Sequence, residues 1–281
     1  MIRTIAGTLA DCERARAGGR TVGLVPTMGA FHEGHLSLIR RARAERDHVV
    51  VSIFVNPLQF GDPADLAAYP RREQTDMEAA ERESVDVVFA PSLDEMVPRD
   101  EQRVTVDPGP LGERFEGATR PGHFRGVLTI VSVLFNAVGP SAAYFGEKDA
   151  QQLALVRRMV RDLAFPVEIV GCPTEREPDG LAMSSRNERL TPEQREAAGC
   201  LFLALSEAAE LARVGERDAS KLIAAMAREI GATPLAKLDY VAVVDEASFE
   251  PVERIDGPAR ALVAARFGEV RLIDNLLLPT D

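Results

Sequence analysis

Five short stretches dominate the first 170 residues: Thr21–Val25, His48–Val55, Val85–Ala90, Ala142–Gly146 and Val167–Gly171, each apolar and rich in β-formers. Helical patterns separate them, over 76–82, 124–138 and 149–163, the last with Leu153, Val156, Val160 and Leu163 at helical spacing. Strands that are apolar on nearly every residue lose both faces to the interior. Alternating with helices, they predict an α/β fold with a doubly wound, Rossmann-like parallel sheet of the nucleotide-binding kind. The 124–138 stretch is apolar on most sides and is expected to be buried.

From about Thr174 the texture changes. A polar loop through Pro178-Asp179-Gly180 leads into two helical patterns, 192–213 and 219–230, and three strand patterns, 239–244, 261–265 and 270–273, with no long helices between them. This predicts a smaller α+β domain over 175–281, following a nucleotide- and substrate-binding domain over 1–174. Open α/β sheets bind ligands beyond the carboxyl ends of their strands, so the second domain is expected to close over a site there.

Composition narrows the partners. The chain has 281 residues and a net charge of −11, which disfavours nucleic acid, since backbone binding needs clustered cations. Its three cysteines, Cys12, Cys172 and Cys200, are too dispersed for a disulfide framework or a CxxC site. A reducing cytoplasm is the expected compartment. The first 20 residues lack the apolar core of a signal peptide, and no run is long enough to span a membrane.

The first strand pattern runs into Pro26-Thr27-Met28-Gly29-Ala30-Phe31-His32-Glu33-Gly34-His35. Half of the chain's four histidines lie here, three residues apart, just before a helical pattern carrying Leu36, Leu38, Ile39 and Ala42. A helix N-terminus presents main-chain N–H groups and the positive end of its dipole, and Gly34 would let an anionic oxygen approach the backbone. Two imidazoles could add donors to a phosphate gaining charge. Neither a GxxxxGK[ST] nor a GxGxxG sequence occurs, so this turn is the expected phosphate device. No third ligand or HExxH frame accompanies the histidines, which argues against zinc.

Other polar clusters follow strand patterns. Asn56 and Gln59 bring uncharged amides suited to hydroxyls and carbonyls. In Gly146-Glu147-Lys148-Asp149-Ala150-Gln151-Gln152, Lys148 can meet phosphate, while Asp149 can either cap a helix or bind a hydroxyl pair. Met183-Ser184-Ser185-Arg186-Asn187 joins two hydroxyls, a guanidinium and an amide, as triphosphate recognition requires.

The His32-x-x-His35 pair with the later Ser-rich loop resembles the HIGH and KMSKS signatures of the nucleotidyltransferase superfamily. More narrowly, residues 26–35, 54–60, 69–71, 120–124, 145–152 and 179–187 together resemble the ordered motif series of the pantothenate synthetase (pantoate–β-alanine ligase) family. The resemblance implies ATP-dependent joining of pantoate and β-alanine through a pantoyl adenylate, with release of AMP and pyrophosphate. It implies that His32, His35 and Lys148 stabilise the transferring phosphate, with His35 also a proton donor, and that Ser184, Ser185 and Arg186 contact the outer phosphates. Thr27, Met28, Gly146 and Met183 would complete the nucleotide contacts and Asp149 the ribose contact. Asn56, Gln59 and Gln152 would form the pantoate site, Asp76 would reach Mg²⁺ through water, and the enzyme would be a homodimer. One departure is Glu175, where the family carries an apolar residue whose main chain meets adenine.

Overall fold

The computed structural model describes residues 1–97 and 104–279, which divide into two compact units: 1–147 with 155–173, and 148–154 with 174–281. In the first unit, helix α1 (Ile5–Ala17) precedes strand β1 (Val22–Thr27), α2 (Glu33–Glu45) and β2 (His48–Ile53). The chain continues through α3 (Pro63–Ala68), α4 (Glu73–Arg82), β3 (Val87–Phe89), α5 (Leu93–Met96), α6 (Glu116–Thr119), α7 (His123–Val138) and β4 (Ser141–Gly146). Helix α8 (Ala150–Asp162) and β5 (Val167–Cys172) complete the series.

The five strands form one parallel sheet in the order β3-β2-β1-β4-β5. Strand order therefore reverses between β1 and β4, and the crevice beyond their carboxyl ends is where such sheets take ligands. Thr27 ends β1 and Gly146 ends β4. The expected sheet is thus present, and its switch point delivers the histidine turn. Helix α1 has no counterpart in the sequence reading, because its apolar positions are mostly alanine and cysteine. Thr4 starts it by accepting from the Gly7 amide.

Helix α7 is buried along most of its length, as its composition predicts; Leu128, Leu134 and Phe135 are almost wholly enclosed. Its approach to the turn after β2 depends on Gly126. A Cβ there would stand 2.2 Å from the Leu58 carbonyl oxygen, so no larger residue fits without displacing the helix.

The second unit holds α9 (Pro192–Ala198), α10 (Cys200–Arg213), α11 (Ala219–Gly231) and the antiparallel sheet β6 (Ala236–Asp245), β7 (Ala259–Phe267), β8 (Val270–Leu278). One helix expected over 192–213 is in fact two. The Gly199 amide turns back to Glu196, three residues away, and the ladder breaks there. Leu201, Leu205, Leu222, Met226, Val263 and Phe267 form the core between helices and sheet.

Candidate active site

After Thr27 the chain makes a tight turn with Gly29 at φ +81° and Ala30 at φ +53°, and His32 then caps α2 in an extended conformation. The Gly34 amide donates to His32 Nδ1 at 3.2 Å, and the His32 amide donates to His35 Nδ1 at 3.4 Å. The two rings lie 4.2 Å apart at a 43° tilt, with Phe31 5.8 Å from His35. An imidazole nitrogen that accepts from the backbone carries no proton, so the hydrogen-bond network assigns the proton of each neutral ring to Nε2. Two Nε2–H donors are thereby fixed in orientation at the start of a 13-residue helix.

The main-chain amides behave differently from the sequence expectation. The Gly29 amide donates to Thr27 Oγ1 at 3.1 Å, and those of Ala30 and Phe31 to Asp76 Oδ2 and Oδ1, both at 2.8 Å. Together with the bonds made by residues 32 and 34, this commits the amides of residues 29–32 and 34 inside the protein. The turn offers imidazoles to a ligand in place of the expected row of free N–H groups.

Asp76 is buried, and both its oxygens face this turn. This is the carboxylate that the resemblance assigns to Mg²⁺ through water; in the structure its two oxygens accept from the Ala30 and Phe31 amides. Among the described residues, no group of three or more His, Cys, Asp or Glu could hold a metal ion.

Thr27 is also turned inward, donating its hydroxyl to the Ser52 carbonyl at 2.6 Å. Beyond β2, Asn56 is buried: Oδ1 accepts from the Leu58 amide, while Nδ2 donates to the Gly126 carbonyl and to Gln59 Oε1 at 2.9 Å. Asn56 therefore shapes this segment and orients Gln59. Gln59 Nε2 donates to Met28 Sδ at 3.2 Å, a weak acceptor that a ligand oxygen could replace. Arg120 donates to the Gln59 carbonyl at 3.2 Å, and His123 Nδ1 stands 2.9 Å from the same oxygen. This gives a physical role to the 120–124 motif that the sequence left unexplained.

In the second unit, Lys148 and Asp149 occupy a 3₁₀ turn and Gln152 lies in the first turn of α8. Ser184 caps the 3₁₀ turn Ser185–Arg189 by accepting from the Arg186 amide at 3.2 Å. Met183 donates its amide to the Glu175 carbonyl at 2.9 Å, so that loop is paired through main chain whatever side chain stands at 175. Arg195 grips Asp179 and Glu177, and Glu177 accepts from Asn187 Nδ2 at 2.8 Å. The Arg195 guanidinium holds the Asp179 carboxyl below its usual range.

A deeper network was invisible in the sequence. Arg176 makes a bidentate pair with Asp274 at 2.6 and 3.0 Å, and Asp274 has a side chain 0% exposed. Burial pushes the Asp274 carboxyl up, and Arg176 pulls against that shift. The neighbouring Asn275 donates Nδ2 to the Lys148 carbonyl at 2.9 Å and accepts from Arg260. The β8 strand thus ties the backbone of Lys148 to the loop that leads to Ser184.

The family model for pantoate–β-alanine ligase matches residues 1–277. The chain belongs to the pantoate–β-alanine ligase family. A pantothenate synthetase of Roseiflexus castenholzii is 54% identical over 278 residues, 99% of each chain. One from Thermotoga neapolitana is 52% identical, again over 99% of each. The crystal structure of pantothenate synthetase from Thermus thermophilus superposes with a TM-score of 0.91 at 48% identity, covering 99% of both chains. That of a pantoate–β-alanine ligase from Francisella tularensis, complexed with β-γ ATP and β-alanine, gives 0.77 at 36% identity, covering 99% of this chain and 97% of the other.

Proposed function

We propose that this ligase joins pantoate and β-alanine to form pantothenate through a pantoyl adenylate, consuming ATP as its magnesium complex. A carboxylate acylates an amine only once its oxygen becomes a good leaving group, and adenylation supplies that. A pantoate carboxylate oxygen forms a bond to the α-phosphorus while the bond from that phosphorus to the bridging oxygen breaks, and pyrophosphate departs. The amine of β-alanine then attacks the acyl carbon, expels AMP and loses a proton.

Negative charge grows on the α-phosphate oxygens and the departing bridge. His32 and His35, through their Nε2–H groups, and Lys148 stabilise that charge, and His35 can give a proton to the departing group. Ser184, Ser185 and Arg186 hold the β- and γ-phosphates. Thr27, Met28, Gly146 and Met183 line the nucleotide and Asp149 binds the ribose hydroxyls. Asn56, Gln59 and Gln152 form the pantoate site, with Asn56 also orienting Gln59. We further propose a homodimer, on the family resemblance, and a cytoplasmic location, on the three dispersed and unbridged cysteines.

The observation that carries this proposal is the pair of imidazoles with Nδ1 spent on the backbone, at the carboxyl end of β1, in a chain of this family. Exchange of labelled pyrophosphate into ATP tests it. The reaction is expected only when pantoate is present and without β-alanine. Exchange supported by another acid alone would indicate a different nucleotidyltransferase, and none with any acceptor would indicate a nucleotide-binding protein without this chemistry.

A further inference from the structure

We propose that Asp76 is the positioning residue of the histidine turn, holding the main chain that carries His32 and His35; the inference rests on the adenylation reading of that turn. Asp76 lies on the first turns of α4, is 2% exposed, and grips two consecutive amides with its two oxygens, Ala30 N to Oδ2 and Phe31 N to Oδ1. Charge-assisted bonds of this length are stronger than neutral ones, and the bidentate grip fixes the orientation of both peptide planes. Phe31 is followed directly by His32, whose own amide meets His35 Nδ1. The carboxylate therefore sets the backbone one residue before the first imidazole.

Two further features show that the turn is built around this group. Ala30 adopts a left-handed conformation, which a residue with a Cβ keeps only where the surroundings impose it. Gly29 packs so closely that an added Cβ would stand 2.8 Å from Asp76 Oδ2 and 3.1 Å from Ile53 Cγ2. A left-handed Gly29 and Ala30 turn the amides of Ala30 and Phe31 toward the carboxylate, and the carboxylate keeps them there.

Asp76→Asn replaces one acceptor by an NH₂ group that cannot accept from either amide, and the test reads both the turn and the chemistry. In wild-type protein the Ala30 and Phe31 amides should exchange with deuterium slowly; in Asp76→Asn they should exchange about tenfold faster or more. Maximal pantoate-dependent pyrophosphate exchange should fall about 10- to 100-fold, with KM for ATP moving by less than about threefold. The Mg²⁺ concentration giving half-maximal rate should not change. Gly29→Ala keeps the carboxylate but drives a methyl against it, and should give the same pattern, which covers the case in which Asp76→Asn does not fold.

A rise of about tenfold or more in the Mg²⁺ requirement of Asp76→Asn, with excess Mg²⁺ restoring the rate, would make Asp76 a metal-binding residue and overturn the inference. Unaltered amide protection with a wild-type rate would overturn it too. Should the wild-type protein show no pantoate-dependent exchange, the functional reading fails, and the amide measurement still decides whether Asp76 holds the turn.

Discussion

The imidazoles of His32 and His35 each accept at Nδ1 from the backbone of their own turn, which favours the Nε2–H tautomer and orients both rings. Catalytic donors work best when their orientation costs nothing at the moment of reaction. Substituting either histidine by alanine is expected to slow pantoyl-adenylate formation by about 10²–10³-fold, the loss of one such donor, while ATP affinity stays within a few fold. Single-turnover quench measurements would check this, and unchanged adenylate formation would remove the histidines from the chemistry. The pair itself was legible in the sequence from its position after an apolar strand. The use of the surrounding amides was not, because Asp76 lies 46 residues from Ala30 and nothing local marks the contact. Asn56 teaches the same lesson. Its amide meets Leu58, Gly126 and Gln59, and the contact with Gly126, 70 residues away, is marked by nothing local.

Among the elements, the parallel strands and the buried α7 could be read from runs of apolar residues, since burial on both faces leaves a continuous hydrophobic signature. Helix α1 and the break at Gly199 could not, because alanine-rich faces and a single glycine carry little periodic signal. The ties between β8 and the segments bearing Lys148 and Ser184 depend on pairings across about 100 residues, such as Arg176 with Asp274. Such a pair contributes chiefly through what happens when it is broken. Arg176→Ala would leave the Asp274 carboxylate enclosed without its counter-charge, and should destabilise the second unit by about 3–5 kcal/mol. Urea unfolding would measure it; a cost below about 1 kcal/mol would mean that the site relaxes or admits water.

Over the whole molecule, the chemistry of the cysteines follows from where the fold puts them. Cys12, Cys172 and Cys200 are all buried and unbridged. Burial pushes the thiols of Cys12 and Cys172 up to about 11, and that of Cys200 upward as well. Because the thiolate is the reactive form, the native protein should resist a disulfide reagent at neutral pH, and all three thiols should react once guanidinium unfolds it. Rapid labelling of the folded protein would show that a core opens locally. No helix among the described residues is long and apolar enough to cross a membrane. Residues 148–154 group with the chain from Thr174 onward in one compact unit, a grouping that no local sequence signal marks. The measurement that bears most directly on the account follows the oxygen of the activated acid. With pantoate labelled by ¹⁸O in its carboxylate, attack on the α-phosphorus and later cleavage at the acyl carbon must leave one labelled oxygen in AMP. Recovery of AMP carrying that single ¹⁸O is the predicted result; unlabelled AMP, or ADP with the label in inorganic phosphate, would contradict it.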